Sequence, residues 1–190
     1  MLVTIVTPTL QMGRFLPEAI ESVLAQQIPH LDYFVADAGS TDGTQALLAR
    51  YEGRLRWRSH PDGGTAAALS EAFTEAPGDI LGWLSADDIL LPGALQSALD
   101  AFQNHPEAVA VFGGGRWIDE HGQTIADYPV APDAQTRLAE QCLICQPACF
   151  FRSSAYRAVG GIDATLSSAF DYDLWIRLAR LGPFVHQPAQ

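Results

Sequence analysis

Three acidic clusters hold the residue types in this chain that could do chemistry: Asp37 with Asp42, Asp62, and Asp87 beside Asp88. The adjacent pair says most. Two carboxylates side by side repel unless positive charge lies between or beside them, and a hard divalent cation with oxygen ligands meets that need. The competing reading is that one of them caps the helix signalled by Pro92-Gly93 while the other is solvated, because acidic residues favour helix N-termini. For Asp37 and Asp62 the alternatives are a ligand contact and a turn-stabilising role, since Asp hydrogen-bonds readily to the backbone two residues on.

The elements that must position these groups read as repeated strand and helix units. Residues 78–88 begin as an apolar run of strand length and carry Asp87 and Asp88 to its C-terminal end. Residues 2–7 are rich in β-branched side chains and predict a buried first strand that stops at Pro8. In 15–26, Phe15, Leu16, Ala19, Ile20, Val23 and Leu24 recur at helical spacing, with Pro17 tolerated in the first turn. Strands are expected at 32–36 and 55–59, and helices at 44–51, 65–74 and 92–104. This alternation predicts an α/β fold with a mostly parallel central sheet flanked by helices and right-handed crossovers. All three acidic loops then open on one edge of the sheet, at the strand C-termini where such sheets bind ligands.

The second half is less regular. Residues 109–112 predict a strand entering Gly113-Gly114-Gly115, which lacks the G-x-G-x-x-G spacing of a phosphate cradle and reads as a bend at the sheet edge. Residues 118–125 predict a small hairpin turning at His121-Gly122, with Asp119 and Glu120 as a solvated turn. A short helix is expected at 133–141, a strand at 149–151 and a helix at 153–159 stopped by Gly160-Gly161. Asp171 sits where a last helix begins, with Leu174, Trp175, Leu178 and Leu181 on its apolar side, and an N-cap is one reading of it.

Composition bounds the function. At 190 residues, 48% hydrophobic and 17% charged, the chain suits one soluble globular domain. A net charge of −11 argues against nucleic acid and anionic lipid as electrostatic partners. No apolar run reaches the roughly 18 to 20 residues of a membrane span, and no basic signal region precedes the first strand, so the expected location is the cytoplasm. Cys142, Cys145 and Cys149 are spaced like metal ligands, but no nearby His completes a zinc set of four, and buried reduced thiols are expected.

A resemblance sharpens this reading. Thr7-Pro8-Thr9 before Ala19-Ile20-Glu21-Ser22-Val23-Leu24-Ala25-Gln26, the turn Asp37-Ala38-Gly39-Ser40-Thr41-Asp42-Gly43-Thr44, Asp62-Gly63-Gly64, and the stretch ending in Asp87-Asp88 resemble the successive motifs of family 2 inverting glycosyltransferases of the GT-A fold. Gln146-Pro147-Ala148-Cys149-Phe150-Phe151-Arg152, Gly160-Gly161-Ile162-Asp163 and Asp171-Tyr172-Asp173-Leu174-Trp175 extend the match over nearly the whole chain.

The resemblance implies a single Rossmann-like GT-A domain over 1–190, with a nucleotide-binding half at 1–104 and an acceptor and catalytic-base half at 105–190. It implies transfer from a nucleotide-diphosphate sugar, a UDP-sugar first, to a hydroxyl of a glycan, lipid-linked or other acceptor in polysaccharide or cell-surface glycan synthesis. Asp88 would hold Mg²⁺ or Mn²⁺, and Asp87 would bind the ribose or support the metal. Thr7, Pro8, Thr9, Asp37 and Asp62 would contact the donor, Asp37 through a base N–H. Asp171 would be the catalytic base, with Asp173 as its competitor. A cytoplasmic enzyme, peripheral at the inner membrane face, is compatible with this class.

Ala38, Leu10, Gln11, Ser70 and Gly114 depart from residues frequent in relatives, many of which also continue beyond the point where this chain ends. Two other classes stay open. One is a binding module for sugar nucleotides or glycans that has lost turnover. The other is a sugar nucleotidyltransferase, although residues 9–14 lack the Gly-rich basic loop that it would carry.

Overall fold

A computed structural model describes residues 1–187; residues 188–190, the tail of the expected 105–190 half, lie outside the described residues. The β-branched run forms β1 (Val3–Thr9), buried at every position and therefore in need of cover on both faces. That cover comes from the units that follow: α1 (Leu16–Leu24), β2 (Leu31–Asp37), α2 (Thr44–Ala49), β3 (Arg56–Ser59), α3 (Thr65–Thr74), β4 (Ile80–Trp83) and α4 (Ala94–Asn104). β1 pairs in parallel with β2 and β4, and β2 with β3.

The second half adds β5 (Ala110–Gly113), the hairpin of β6 (Arg116–Ile118) and β7 (Thr124–Asp127), then β8 (Cys149–Arg152), α5 (Ser153–Ala158), α6 (Phe170–Leu178) and β9 (Phe184–Gln187). The main sheet runs β3-β2-β1-β4-β8-β5-β9, with β8 antiparallel to both neighbours and β9 parallel to β5. β6 and β7 form a separate antiparallel pair. The fold class is the expected one: a single α/β domain with a mostly parallel sheet and a small antiparallel element.

Strand alternation divides the core between the two faces of the sheet. Val6, Ala36, Leu81, Trp83, Phe112 and Phe151 pack under α3, α5 and α6. Ile5, Val35, Ile80, Val111 and Phe150 pack under α1, α2 and α4. Gly82 has a specific role in this arrangement, because a Cβ there would lie 2.6 Å from the Phe150 ring and 3.2 Å from Ile5.

Three expectations are corrected. β1 does not stop at Pro8, which pairs with Ala36. Val6 O accepts from Leu84 N and Thr9 O from Ala38 N, so Pro8 directs its missing N–H toward β4, just where that ladder ends. The helix expected at 133–141 is only a 3-10 turn, Ala134–Arg137. There Gln135 donates to Ala179 O and Gly182 O and accepts from Phe184 N, tertiary bonds that outweigh a weak local preference. Leu181 lies past the end of α6 and is 48% exposed, so it is not part of the apolar side.

Gly82→Ala is expected to lower stability by about 1 to 3 kcal/mol through overpacking against Phe150. A urea midpoint measured beside wild type checks this.

Candidate functional site

The parallel units place their loops as expected. After β4 the chain bonds once more to β1 through Leu84 N and then turns, with Asp88 N donating to Ser85 O at 3.1 Å. Asp87 is exposed on this turn and Asp88 half-buried. Neither caps α4, whose N-cap is Gly93 with φ +80. Burial, and then the neighbouring Asp87 charge, push the Asp88 carboxyl up to about 6. A carboxylate pair held in this way accommodates a cation more easily than it stays fully ionised alone.

Two cavities meet at Asp87. One, of about 290 Å³, is lined by Pro8, Thr9, Ala38, Asp62, Gly64 and Asp87, among others, at the C-terminal edge of β1, β2 and β4. Thr9 Oγ1 and Asp62 Oδ2 are buried there without a hydrogen-bond partner. The Asp62 side chain is only 5% exposed. Its other oxygen accepts from Gly64 N at 2.9 Å, so Asp62 does take the turn-forming role. Arg58 Nη2 stands 3.9 Å from Asp62 Oδ2, beyond hydrogen-bond distance, and 3.0 Å from Glu71.

The second cavity, of about 210 Å³, is lined by Phe15, Glu18, Asp87, Asp88, Ile89, Ile118, Asp119, Glu120 and Gly122. The hairpin is therefore folded over the Asp pair. Asp119 does brace its own turn, accepting from His121 N and Gln123 N, and Glu120 pairs with Arg14 at 3.0 Å. The expectation of a merely solvated turn missed this placement, which depends on a contact more than 30 residues distant in sequence.

Asp37 is wholly buried at the end of β2 and accepts from Ser40 N, Ser40 Oγ and Ser59 Oγ, so it fastens its own turn to β3. Thr7 is buried too, with its hydroxyl bonded to Tyr33 OH at 2.9 Å and no place on the wall of either cavity. Gln11 was noted in the sequence only as a departure. It proves to join two loops: its N–H donates to Ser40 Oγ at 2.8 Å, and its amide exchanges bonds with Thr41. Asp42 completes the seam by accepting from Gly13 N. No local pattern could have signalled these cross-loop pairs.

On the other side of the sheet edge, α6 starts at Phe170 after Ala169, which holds the left-handed conformation at φ +54. Asp171 is thus the second helical residue and makes no capping bond. Phe170 packs on Trp83, and Trp175 stacks on Trp83 at 5.5 Å, so the start of α6 is set against the strand that leads to Asp87. Asp173 differs from Asp171 in being engaged: Arg177 donates to it through both Nε and Nη2. Arg177 also reaches Val159 O and Gly161 O, tying α6 to the end of α5.

The three cysteines are free thiols, and burial raises Cys145 to about 11. Among the described residues no three His, Cys, Asp or Glu side chains gather into a cluster able to hold a metal by themselves. Nor is any helix among them long and apolar enough to cross a membrane.

The family model described as glycosyl transferase family 2 matches residues 4–159. Chondroitin synthase of Escherichia coli is 30% identical over 188 residues, which cover 97% of this chain and 27% of that protein. Among solved structures, S. aureus TarS 1-349 in complex with UDP superposes with a TM-score of 0.81 at 16% identity, covering all of this chain and 59% of that one. The mannosyltransferase PcManGT from Pyrobaculum calidifontis, in complex with GDP-Man and Mn2+, superposes with a TM-score of 0.77 at 20% identity, covering 98% of this chain and 54% of that one. The chain thus spans about a quarter of the length of the synthase that it matches.

Asp173→Asn is expected to lower stability by about 1 kcal/mol, given a charged hydrogen bond with partial exposure, and Arg177→Gln by more, about 1 to 3 kcal/mol, because it also loses the bonds to Val159 O and Gly161 O. The double variant should cost less than their sum, because one interaction is removed twice. Urea unfolding of the three variants gives the comparison.

Proposed function

The chain belongs to glycosyl transferase family 2, and we propose that it moves a sugar, with inversion, from a nucleotide-diphosphate donor to a hydroxyl acceptor. The observation that carries this reading is the pair of buried, unpartnered atoms, Thr9 Oγ1 and Asp62 Oδ2, in a cavity that ends at Asp87. An orphaned buried polar atom costs about 1 to 3 kcal/mol, and a bound ligand relieves that cost. Pro8, Thr9 and Asp62 then hold the nucleoside, and Asp87 meets the ribose. Asp37 and Thr7 act behind this wall, fixing the strand ends that form it.

Asp88, supported by Asp87, fits a hard divalent cation such as Mg²⁺ or Mn²⁺. Such an ion takes one or two carboxylates and completes its shell with phosphate oxygens and water, so two protein ligands suffice. When bound, it would neutralise the charge that grows on the leaving diphosphate. The sequence supplies no lysine, and no arginine lines either cavity.

Asp171 is the base. It has no ion pair or cap to satisfy, whereas Asp173 is held by Arg177. Its carboxylate takes the proton of the acceptor hydroxyl as that oxygen attacks the anomeric carbon, opposite the bond to the departing diphosphate. UDP-sugar is the proposed donor and a growing glycan the proposed acceptor, in keeping with the chondroitin synthase relative and the UDP-bound neighbour. The location we propose is the cytoplasm, at or near the inner membrane face.

Calorimetric titration of UDP is expected to give binding with Mn²⁺ that EDTA removes and Asp88→Ala abolishes. Metal-independent binding, or none with UDP, GDP and dTDP alike, would overturn the donor site. Asp171→Asn is expected to lower turnover by about 10² to 10⁴ while UDP affinity holds, the usual worth of a positioned base. Near-normal turnover in that variant would remove Asp171 from the role.

A further inference from the structure

The donor chemistry leaves Arg14 unused. It stands between Gly13 and Phe15, the N-cap of α1, where positive charge is unfavourable because it meets the positive end of the helix. Stabilising α1 is therefore not its purpose. Its guanidinium lies 5.0 Å from the centroid of the Phe15 ring and pairs with Glu120 at 3.0 Å. The two side chains are 64% and 58% exposed, and an ion pair so open to water contributes little to the fold.

The segment that carries Arg14 joins the two cavities. Met12 lines the one walled by Thr9 and Asp62, Phe15 and Glu18 line the one walled by Asp88, and the two meet at Asp87. Glu120, the partner of Arg14, is on the wall of the second. The backbone of this segment is fixed. Gln11, in the left-handed region at φ +56, is bonded to Ser40 and Thr41, and Gly13 N donates to Asp42 at 2.8 Å. Met12 O accepts from both Phe15 N and Leu16 N at 3.0 Å. The Arg14 side chain has only its exposed bond to Glu120 to give up, so it can turn about a stationary backbone. Arg58, near the first cavity, has no such freedom: its side chain is 15% exposed and bonded to Glu71 at 3.0 Å.

Resting on the reading of these cavities as a nucleotide-sugar site, we infer that Arg14 exchanges Glu120 for the donor diphosphate when the donor binds. A nucleoside in the first cavity and a cation at Asp88 in the second put the diphosphate between them, beside the segment from Met12 to Phe15. There it meets Glu18, Asp87, Asp88, Asp119 and Glu120, a wall that repels it unless positive charge is supplied. A diphosphate carries more charge than one carboxylate, and its oxygens match the parallel N–H groups of a guanidinium fork, so it displaces a solvent-exposed glutamate. Glu120 is the resting partner in this exchange. It keeps the guanidinium at the cavity rim before the donor arrives and takes it back after the nucleotide leaves.

The test is calorimetric titration of UDP at saturating Mn²⁺, with uridine measured as its competitor, in wild type, Arg14→Gln, Arg14→Lys and Glu120→Gln. Arg14→Gln is expected to weaken UDP by about tenfold, the loss of charge-assisted hydrogen bonds in a partly exposed setting, while uridine, which has no phosphate, changes by less than about twofold. Arg14→Lys should come back to within about threefold of wild type, because it keeps the charge without the fork. Glu120→Gln should tighten UDP by about two- to fivefold, since the competing partner is gone. Unchanged UDP affinity in Arg14→Gln, a loss of uridine there as large as that of UDP, or weaker UDP binding in Glu120→Gln would each overturn the inference. Failure of wild type to bind UDP, or of uridine to compete with it, would strike the donor reading instead, so the two failures are distinguishable.

Discussion

The stacking of Trp83 on Trp175, 5.5 Å apart and 16° from parallel, is the contact on which the rest of the site depends. Trp83 is the last residue of β4, four positions before Asp87, and Trp175 lies one helical turn after Asp171. The strand end that leads to Asp87 and the helix start that carries Asp171, the proposed base, are separated by a fixed aromatic spacer. Phe73, Phe151 and Tyr156 surround the pair edge-on or stacked, with centroid distances of 5.2 to 6.3 Å among Phe73, Trp83, Phe151 and Tyr156. Large rings locked in this way have few alternative packings, so a shift of α6 cannot occur without disturbing β4. Gln146 adds a polar constraint by donating to Trp83 O at 2.8 Å.

Charge explains why a rigid frame is needed. The chain carries −11 overall, and its positive side chains are all arginines, most of them in ion pairs or bonded to carbonyls. The acidic edge therefore carries a concentrated negative field, with Arg58 and Arg14 engaged by Glu71 and Glu120 at its margins. The Asp88 carboxyl is raised in this field, first by burial and then by the neighbouring Asp87 charge. The hairpin with Glu120 and Asp119 deepens the same field.

What the sequence made legible follows from locality. The β-branched and apolar runs, their alternation with helical periods, and the loops that end in Asp37, Asp62 and Asp87 are all written within about ten residues each, and the parallel sheet and its functional edge follow from them. That Asp62, Asp87 and Asp88 would stand at the C-terminal edge of the sheet was readable because residue type and position at a strand end coincide. Pro8 was misread because the sequence shows a missing donor but not which neighbour it faces. Thr7 and Asp37 were legible as important but not as wall-fixing groups, since that depends on Tyr33 and Ser59, partners brought in from other strands. The seam from Gln11 to Ser40 and Thr41, and the hairpin laid over Asp88, are likewise products of tertiary contact alone.

The second half was harder to read for a topological reason. In a parallel strand and helix unit the chain returns to the functional edge at each strand end, without further instruction. β8 runs the other way, so its start, not its end, lies at that edge, and Arg152 leads into α5 at the far side. The chain must then be brought back to deliver Asp171, and the structure spends specific polar contacts on that return. Tyr156 OH accepts from Ile162 N, and Gly161 with φ +76 makes room for that hydroxyl, 2.9 Å from where a Cβ would sit. Arg177 gathers Val159 O, Gly161 O and Asp173 at one guanidinium. Asp173 is thus consumed in holding the loop that returns the chain, whereas Asp171, two residues earlier and proposed above as the base, carries no such duty.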